Sequence, residues 1–182
     1  MTYDFPIAET LRAWQNFYFM AGGASATLMG LLFVAVSLGA HLVSEDTHTE
    51  IATFVTPILF YFMSVLAVAC VMLVPTDSTL LIAAALLLLG AIGLRRVLRV
   101  VRGMKELVSQ QPIHHSHWLW HATLPGLSYA LIVGAASWLL AGETTATLLG
   151  MALAVVLLLF SGLWRTWDLV LWIAHQRRPD RP

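Results

Sequence analysis

The residues of this chain best suited to chemistry are histidines, which cluster at His114, His115, His117 and His121. His117 and His121 stand at positions i and i+4, a spacing that puts two imidazoles on one helix face and within reach of one metal ion. We predict a transition-metal site at His117, His121 and His114. The alternative is a set of interfacial histidines at the start of a helix, because no fourth ligand is set by spacing.

Other enzyme chemistry has little support in the residues. Cys70 is the single cysteine, which excludes an internal disulfide framework and a cysteine zinc site. The fragment from His117 to His121 resembles part of a histidine-box oxygenase motif, but the chain lacks the repeated boxes that a di-iron centre needs. No glycine-rich phosphate loop or nucleophile elbow is present. A metal-dependent membrane enzyme is therefore the third of three functions considered below.

Two charges, Arg165 and Asp168, directly follow a long apolar run and form the second candidate site. Charged side chains at membrane depth usually pair with one another and mark function. Both residues also stand at the end of the run, which favours an interfacial pair. We expect Asp168 to pair there with Arg95 and Arg99, the arginines that end another apolar run.

The elements that position these residues are predicted to be membrane-spanning helices. The chain is 59% apolar and 11% charged and contains 7 tryptophans, a composition typical of multi-spanning membrane proteins. Its formal net charge is zero, which argues against a nucleic-acid partner. We predict an all-α integral membrane protein, one domain of five transmembrane helices, with spans at about 22–43, 53–74, 79–94, 118–140 and 147–164. Amphipathic extensions are expected at about 95–108 and 165–176.

The first predicted span carries a stripe of small residues, Gly22, Ala26 and Gly30, at every fourth position. Such a stripe lets a second helix approach closely. The opposite side, with Met29, Leu32, Phe33 and Leu42, is expected to face lipid. We therefore predict that this span is the hub on which the other helices pack.

Basic residues are concentrated in the segments that follow the first, third and fifth spans, whereas the other side has only Arg12. Positively charged loops stay in the cytoplasm, so we predict an N-terminus outside and a cytoplasmic C-terminus. A shift of 68 positions also places Pro57 on Pro125 and Tyr61 on Tyr129. This match predicts a direct repeat of two helical hairpins after the first span.

Trp14 and Phe17, followed by the run GGASATLMGLLFVAVSL from Gly22 to Leu38, resemble the opening of a group of small bacterial multi-spanning proteins of unassigned function. The resemblance covers about the first 75 residues. It implies a multi-pass protein of the bacterial cytoplasmic (inner) membrane and supplies no catalytic residue or cofactor.

The favoured function is a non-enzymatic protein acting through helix association, as a homo-oligomer or as a subunit or modulator of a membrane complex, with the lipid bilayer as its other partner. A small channel or transporter is the alternative, ahead of the metalloenzyme.

Overall fold

A computed structural model shows an all-helical protein. The structure describes residues 7–40, 48–76, 78–108 and 115–176, and within them it describes the side chains of 14–38, 55–76, 78–102, 123–143 and 145–171. This part of the chain contains no strand and forms five helices: α1 (Ile7–Ala40), α2 (His48–Leu73), α3 (Thr79–Val108), α4 (His115–Leu140) and α5 (Thr144–Gln176).

Each of the five helices is long and apolar enough to cross a membrane. The qualifying segments are Trp14–Leu38, Val55–Leu73, Thr79–Arg102, Thr123–Leu140 and Thr145–Leu171. The five helices predicted from the sequence are thus all present. They are the architecture expected of a multi-pass membrane protein.

The first helix differs from its predicted bounds. Its apolar segment begins at Trp14 rather than Gly22. The aromatic residues Trp14, Phe17 and Tyr18 lie within α1. Trp14 and Phe17 meet edge to face with their ring centroids 5.9 Å apart, and Tyr18 is fully buried. These rings therefore belong to the packed part of the bundle.

The predicted extensions beyond the third and fifth spans are continuous with them. α3 runs unbroken past Arg95 to Val108, and α5 runs past Arg165 to Gln176. In α3 the apolar spacing persists while the charges accumulate: Val97 is half-buried, whereas Arg95 and Arg99 are exposed. Neither helix is therefore interrupted where its charged residues begin.

Short turns at one end of the bundle join α2 to α3 and α4 to α5. The hydroxyl of Ser78 accepts a hydrogen bond from the backbone N–H of Leu81 (3.4 Å) and caps the start of α3. α4 ends at Leu140 and is followed by Gly142 at φ +90°, and the N–H of Glu143 donates to the carbonyl of Trp138 (3.2 Å). This is a Schellman ending, for which glycine is the favoured residue.

The helices α2, α3, α4 and α5 pack in a closed ring, in that order, and α1 lies outside the ring against α2 and, to a lesser extent, α5. The expectation that the first span is the hub was therefore wrong. Helices that are consecutive in the chain run antiparallel, so the two short turns lie at one end of the bundle, which we name the turn end. The opposite end, where α3 and α5 carry Arg96 and Arg165, is named the arginine end.

The two hairpins of the predicted repeat pack differently. α4 and α5 contact each other extensively, whereas α2 and α3 contact each other far less and α3 packs mainly on α4. The paired residues Tyr61 and Tyr129 are both buried, and Pro57 and Pro125 both lie inside helices. The repeat stays a prediction.

Candidate functional site

The predicted metal site falls largely outside the described residues. His114 lies outside them, as do the side chains of His117 and His121. The backbone is described from His115 onward, and it places His117 and His121 on one helix, as their spacing requires. Among the side chains that the structure describes, no group of three or more histidine, cysteine, aspartate or glutamate residues could hold a metal ion. The metal site stays a prediction.

The small residues of α1 point in two directions. A Cβ atom added to Gly22 would lie 3.0 Å from the Cβ of Ala69, so α1 and α2 approach closely there. Ala26 and Gly30 are exposed, and a Cβ at Gly30 would meet nothing within 4 Å. A four-residue spacing turns by about 40° per step around a helix, which moves the stripe from the packed side to the outer side.

The side expected to face lipid differs from the prediction at Met29 and Leu32, and Leu42 lies outside the described residues. Met29 is half-buried and packs against the same apolar core as Leu32. Leu32 is only 2% exposed and packs with Ile58, Phe62 and Leu169 in a small apolar core at the arginine end. Phe33 is 74% exposed, as expected for a lipid-facing residue. The expectation for Leu32 is wrong because α1 packs on α2 through the side that carries Ser25 and Leu32, whereas Ala26 and Gly30 are exposed.

The charges of the second predicted site lie at the arginine end. Arg95, Arg99 and Asp168 are exposed, and Arg165 is half-buried. α3 packs on α4 and α2, and α5 packs on α4, α2 and α1. The pairing of Asp168 with the arginines of α3 stays a prediction.

The best-defined polar group in the described residues is centred on Tyr129 of α4, which is 1% exposed. Its hydroxyl oxygen lies 2.9 Å from the hydroxyl oxygen of Ser64 in α2, across the helix ring. Ser64 donates its hydrogen to the carbonyl of Phe60 (2.8 Å), so the Tyr129 hydroxyl is the donor to Ser64. The Tyr129 ring lies directly against Gly93 of α3, where a side chain would collide with it. Tyr129 therefore links three helices.

Two arginines lie over aromatic rings beside this group. The guanidinium carbon of Arg96, on α3, lies 4.4 Å from the centroid of the Phe60 ring. The guanidinium carbon of Arg165, on α5, lies 5.6 Å from the centroid of the Tyr61 ring. Both distances allow a cation–π interaction. Arg96 is exposed and Arg165 is half-buried. We name Arg96, Arg165, Phe60 and Tyr61 the arginine mouth.

The sequence alone did not identify the arginine mouth. Arg96 was one arginine in a basic run, and Phe60 and Tyr61 were two aromatic residues in an apolar run. The repeat pairs Tyr61 with Tyr129, and this was the only sequence signal that singled out either tyrosine. Their roles depend on helix packing across the ring, which no local pattern encodes.

Buried hydroxyls elsewhere in the bundle mostly bond to backbone carbonyls. Ser25 donates from α1 to the carbonyl of Phe62 in α2 (2.6 Å), and Thr147 contacts the carbonyl of Ala135 in α4 (3.2 Å). The buried hydroxyl of Tyr18 has no hydrogen-bond partner among the described residues. In lipid such bonds contribute modestly, about 0.6 kcal/mol each on average, and they set helix register.

Comparisons of the chain with protein-family models, with curated proteins and with solved structures found no match. The functional argument therefore depends on the residues and contacts described above.

Proposed function

We propose that this is a non-enzymatic multi-pass membrane protein that acts through helix association, with the outer face of α1 as its contact surface. We define this outer face as Gly23, Ala26, Thr27 and Gly30. The observation that carries the proposal is the open space beside both glycines, where an added Cβ would meet nothing within 4 Å.

The outer face is flat because its members are small and lie on one side of the helix. All four residues are exposed, and they lie opposite Ser25 and Leu32, which pack on α2. The Thr27 hydroxyl donates to the carbonyl of Gly23 (2.9 Å), so its polar group is satisfied within the helix. A surface of this kind lets a second helix approach to backbone distance, where van der Waals contacts stabilise association in lipid.

The packed interior of the ring formed by α2, α3, α4 and α5 argues against a channel through a single chain. The interior of the four-helix ring is filled by large apolar side chains, including Leu86, Ile132, Met151 and Leu158, all of which are buried. A conduction path through one copy of the chain would require these side chains to move apart. If the protein is a channel or transporter, its conduction path is therefore expected to lie between associated copies of the chain.

The test is the molar mass of the detergent-solubilised protein, measured by light scattering. Gly30→Leu is expected to reduce the assembled mass to that of one chain, because a bulky side chain separates helices that touch through their backbones. Gly134→Leu is the matched control, because Gly134 is also exposed with nothing within 4 Å of an added Cβ. Equal masses for the two variants would refute the outer face as the surface through which copies of this chain associate.

We further propose that the protein lies in the bacterial inner membrane with the turn end outside and the arginine end in the cytoplasm. The distribution of basic residues supports this orientation. In a Cys70→Ser background, Glu143→Cys should react with a membrane-impermeant thiol reagent in intact cells, whereas Arg102→Cys should not. Labelling of Arg102→Cys alone would reverse the orientation.

A further inference from the structure

We propose that the arginine mouth binds the phosphate group of an anionic phospholipid. This inference is independent of the association through α1, because it concerns the opposite side of α2 and one end of the helix ring. It depends on the placement of two guanidinium groups, one buried tyrosine and the apolar surface next to them.

The two arginines come from helices on opposite sides of the ring. Phe60 and Tyr61 are consecutive in α2, so their side chains leave the helix about 100° apart. Arg96 reaches Phe60 from α3, and Arg165 reaches Tyr61 from α5. The two positive charges therefore stand on two sides of α2 at one height, at the end of the ring.

Tyr61 lies between these charges. It is 6% exposed, and its ring carries the Arg165 guanidinium while the Arg96 guanidinium lies over the ring of its neighbour, Phe60. None of the described residues forms a hydrogen bond with that hydroxyl. A phosphate at the mouth would accept this O–H donor together with guanidinium N–H groups from both arginines, and arginine binds phosphate through two parallel hydrogen bonds.

The aromatic rings prepare the arginines for this role. A guanidinium stacked on a ring uses its flat face for the ring, and its five N–H donors point outward along the edge, which is enough for an anion and a second partner together. Stacking also restricts the long side chain before the ligand arrives, which lowers the entropy cost of binding. Phe60 itself is held by the neighbouring Tyr129 ring, with the two ring centroids 6.1 Å apart.

The surroundings of the mouth favour a lipid over a soluble phosphate compound. Trp164 and Trp167, next to Arg165 in α5, are 57% and 64% exposed, and tryptophan is enriched at the level of lipid headgroups. Ile92 and Leu98, on either side of Arg96 in α3, are also exposed. Acyl chains can lie along these side chains while the headgroup occupies the mouth. Basic pockets between membrane helices are known to hold anionic headgroups.

The experiment measures lipid binding to the full chain in detergent by native mass spectrometry. The probe is palmitoyl-oleoyl-phosphatidylglycerol, and palmitoyl-oleoyl-phosphatidylcholine is the neutral comparison. Arg96→Gln and Arg165→Gln should each weaken phosphatidylglycerol binding about tenfold, the loss expected for a hydrogen-bonded charge. Arg102→Gln is the matched control and should change binding less than about twofold, because Arg102 is one of the exposed arginines that the mouth does not include.

Two further variants keep the test decisive if a glutamine variant fails to fold. Arg96→Lys keeps the charge and loses the planar fork, and Phe60→Leu keeps both charges and loses the ring; each should weaken binding severalfold. Equal losses for Arg102→Gln and Arg96→Gln would show unspecific attraction and overturn the site. Equal binding of phosphatidylcholine, or displacement of the lipid by millimolar inorganic phosphate, would overturn the assignment to an anionic lipid.

Discussion

Replacing Gly93 by alanine tests the packing of Tyr129 against α3. The added Cβ would collide with the Tyr129 ring, which is buried and held on its other side by the hydrogen bond to Ser64. Because the ring cannot move away freely, α3 must shift or the hydrogen bond must lengthen. Overpacking of this kind costs about 1–3 kcal/mol. Loss of the Ser64–Tyr129 bond would add about 0.6 kcal/mol.

The assay is the free energy of unfolding in mixed micelles, measured by tryptophan fluorescence as denaturing detergent is added. Gly134→Ala is the control because an added Cβ there meets nothing within 4 Å, and it carries the same gain in helix propensity as Gly93→Ala. We expect Gly93→Ala to be less stable than this control by about 1.6–3.6 kcal/mol, the sum of the two costs above.

A double variant separates the collision from other effects at Gly93. Combining Gly93→Ala with Tyr129→Leu removes the ring, so the two changes should be strongly non-additive, with the double variant more stable than the sum predicts. If Gly93→Ala matches Gly134→Ala, or if the two changes simply add, then Tyr129 does not pack on Gly93 as described.

Three further predictions concern single sites. Leu32→Ala should lower the free energy of unfolding by about 2 kcal/mol because Leu32 is buried between helices. Leu31→Ala, at an exposed position, should be nearly neutral, and equal effects of the two variants would contradict the assigned faces of α1. Asp168→Asn should destabilise the protein more than Asp180→Asn if Asp168 pairs with the arginines of α3, and similar melting temperatures would show that it does not. A histidine metal site should hold a transition metal near pH 7.5 and release it below about pH 6, because protonated imidazoles do not bind metal. His117→Ala should bind less metal. If elemental analysis finds no stoichiometric metal in protein purified without a polyhistidine tag, the metalloenzyme hypothesis is refuted.

The helices of this protein could be predicted from the sequence, but their arrangement could not. Apolar runs of sufficient length and short turns such as Pro75–Ser78 define five spans locally. Which face packs depends on the neighbouring helix, so Leu32 was placed towards lipid although it is buried.

The polar contacts were missed for a related reason. The arginine mouth joins residues from three helices, and its members look ordinary in their own segments. The small residues of α1 were recognised as a packing stripe, but spacing does not say which neighbour lies against each one. Gly22 lies against α2, whereas Gly30 lies on the outer face.

The most direct test of association through α1 is cross-linking in the native membrane. Gly30→Cys in a Cys70→Ser background places one thiol on the outer face of α1, and Gly134→Cys places a matched thiol on an exposed position of α4. Mild oxidation or a short thiol cross-linker should join Gly30→Cys chains of 20.0 kDa into a product of twice that mass, or join the chain to a partner subunit that carries a cysteine. Gly134→Cys should remain uncross-linked. Absence of any product from Gly30→Cys, or equal products from both variants, would contradict association through the outer face of α1.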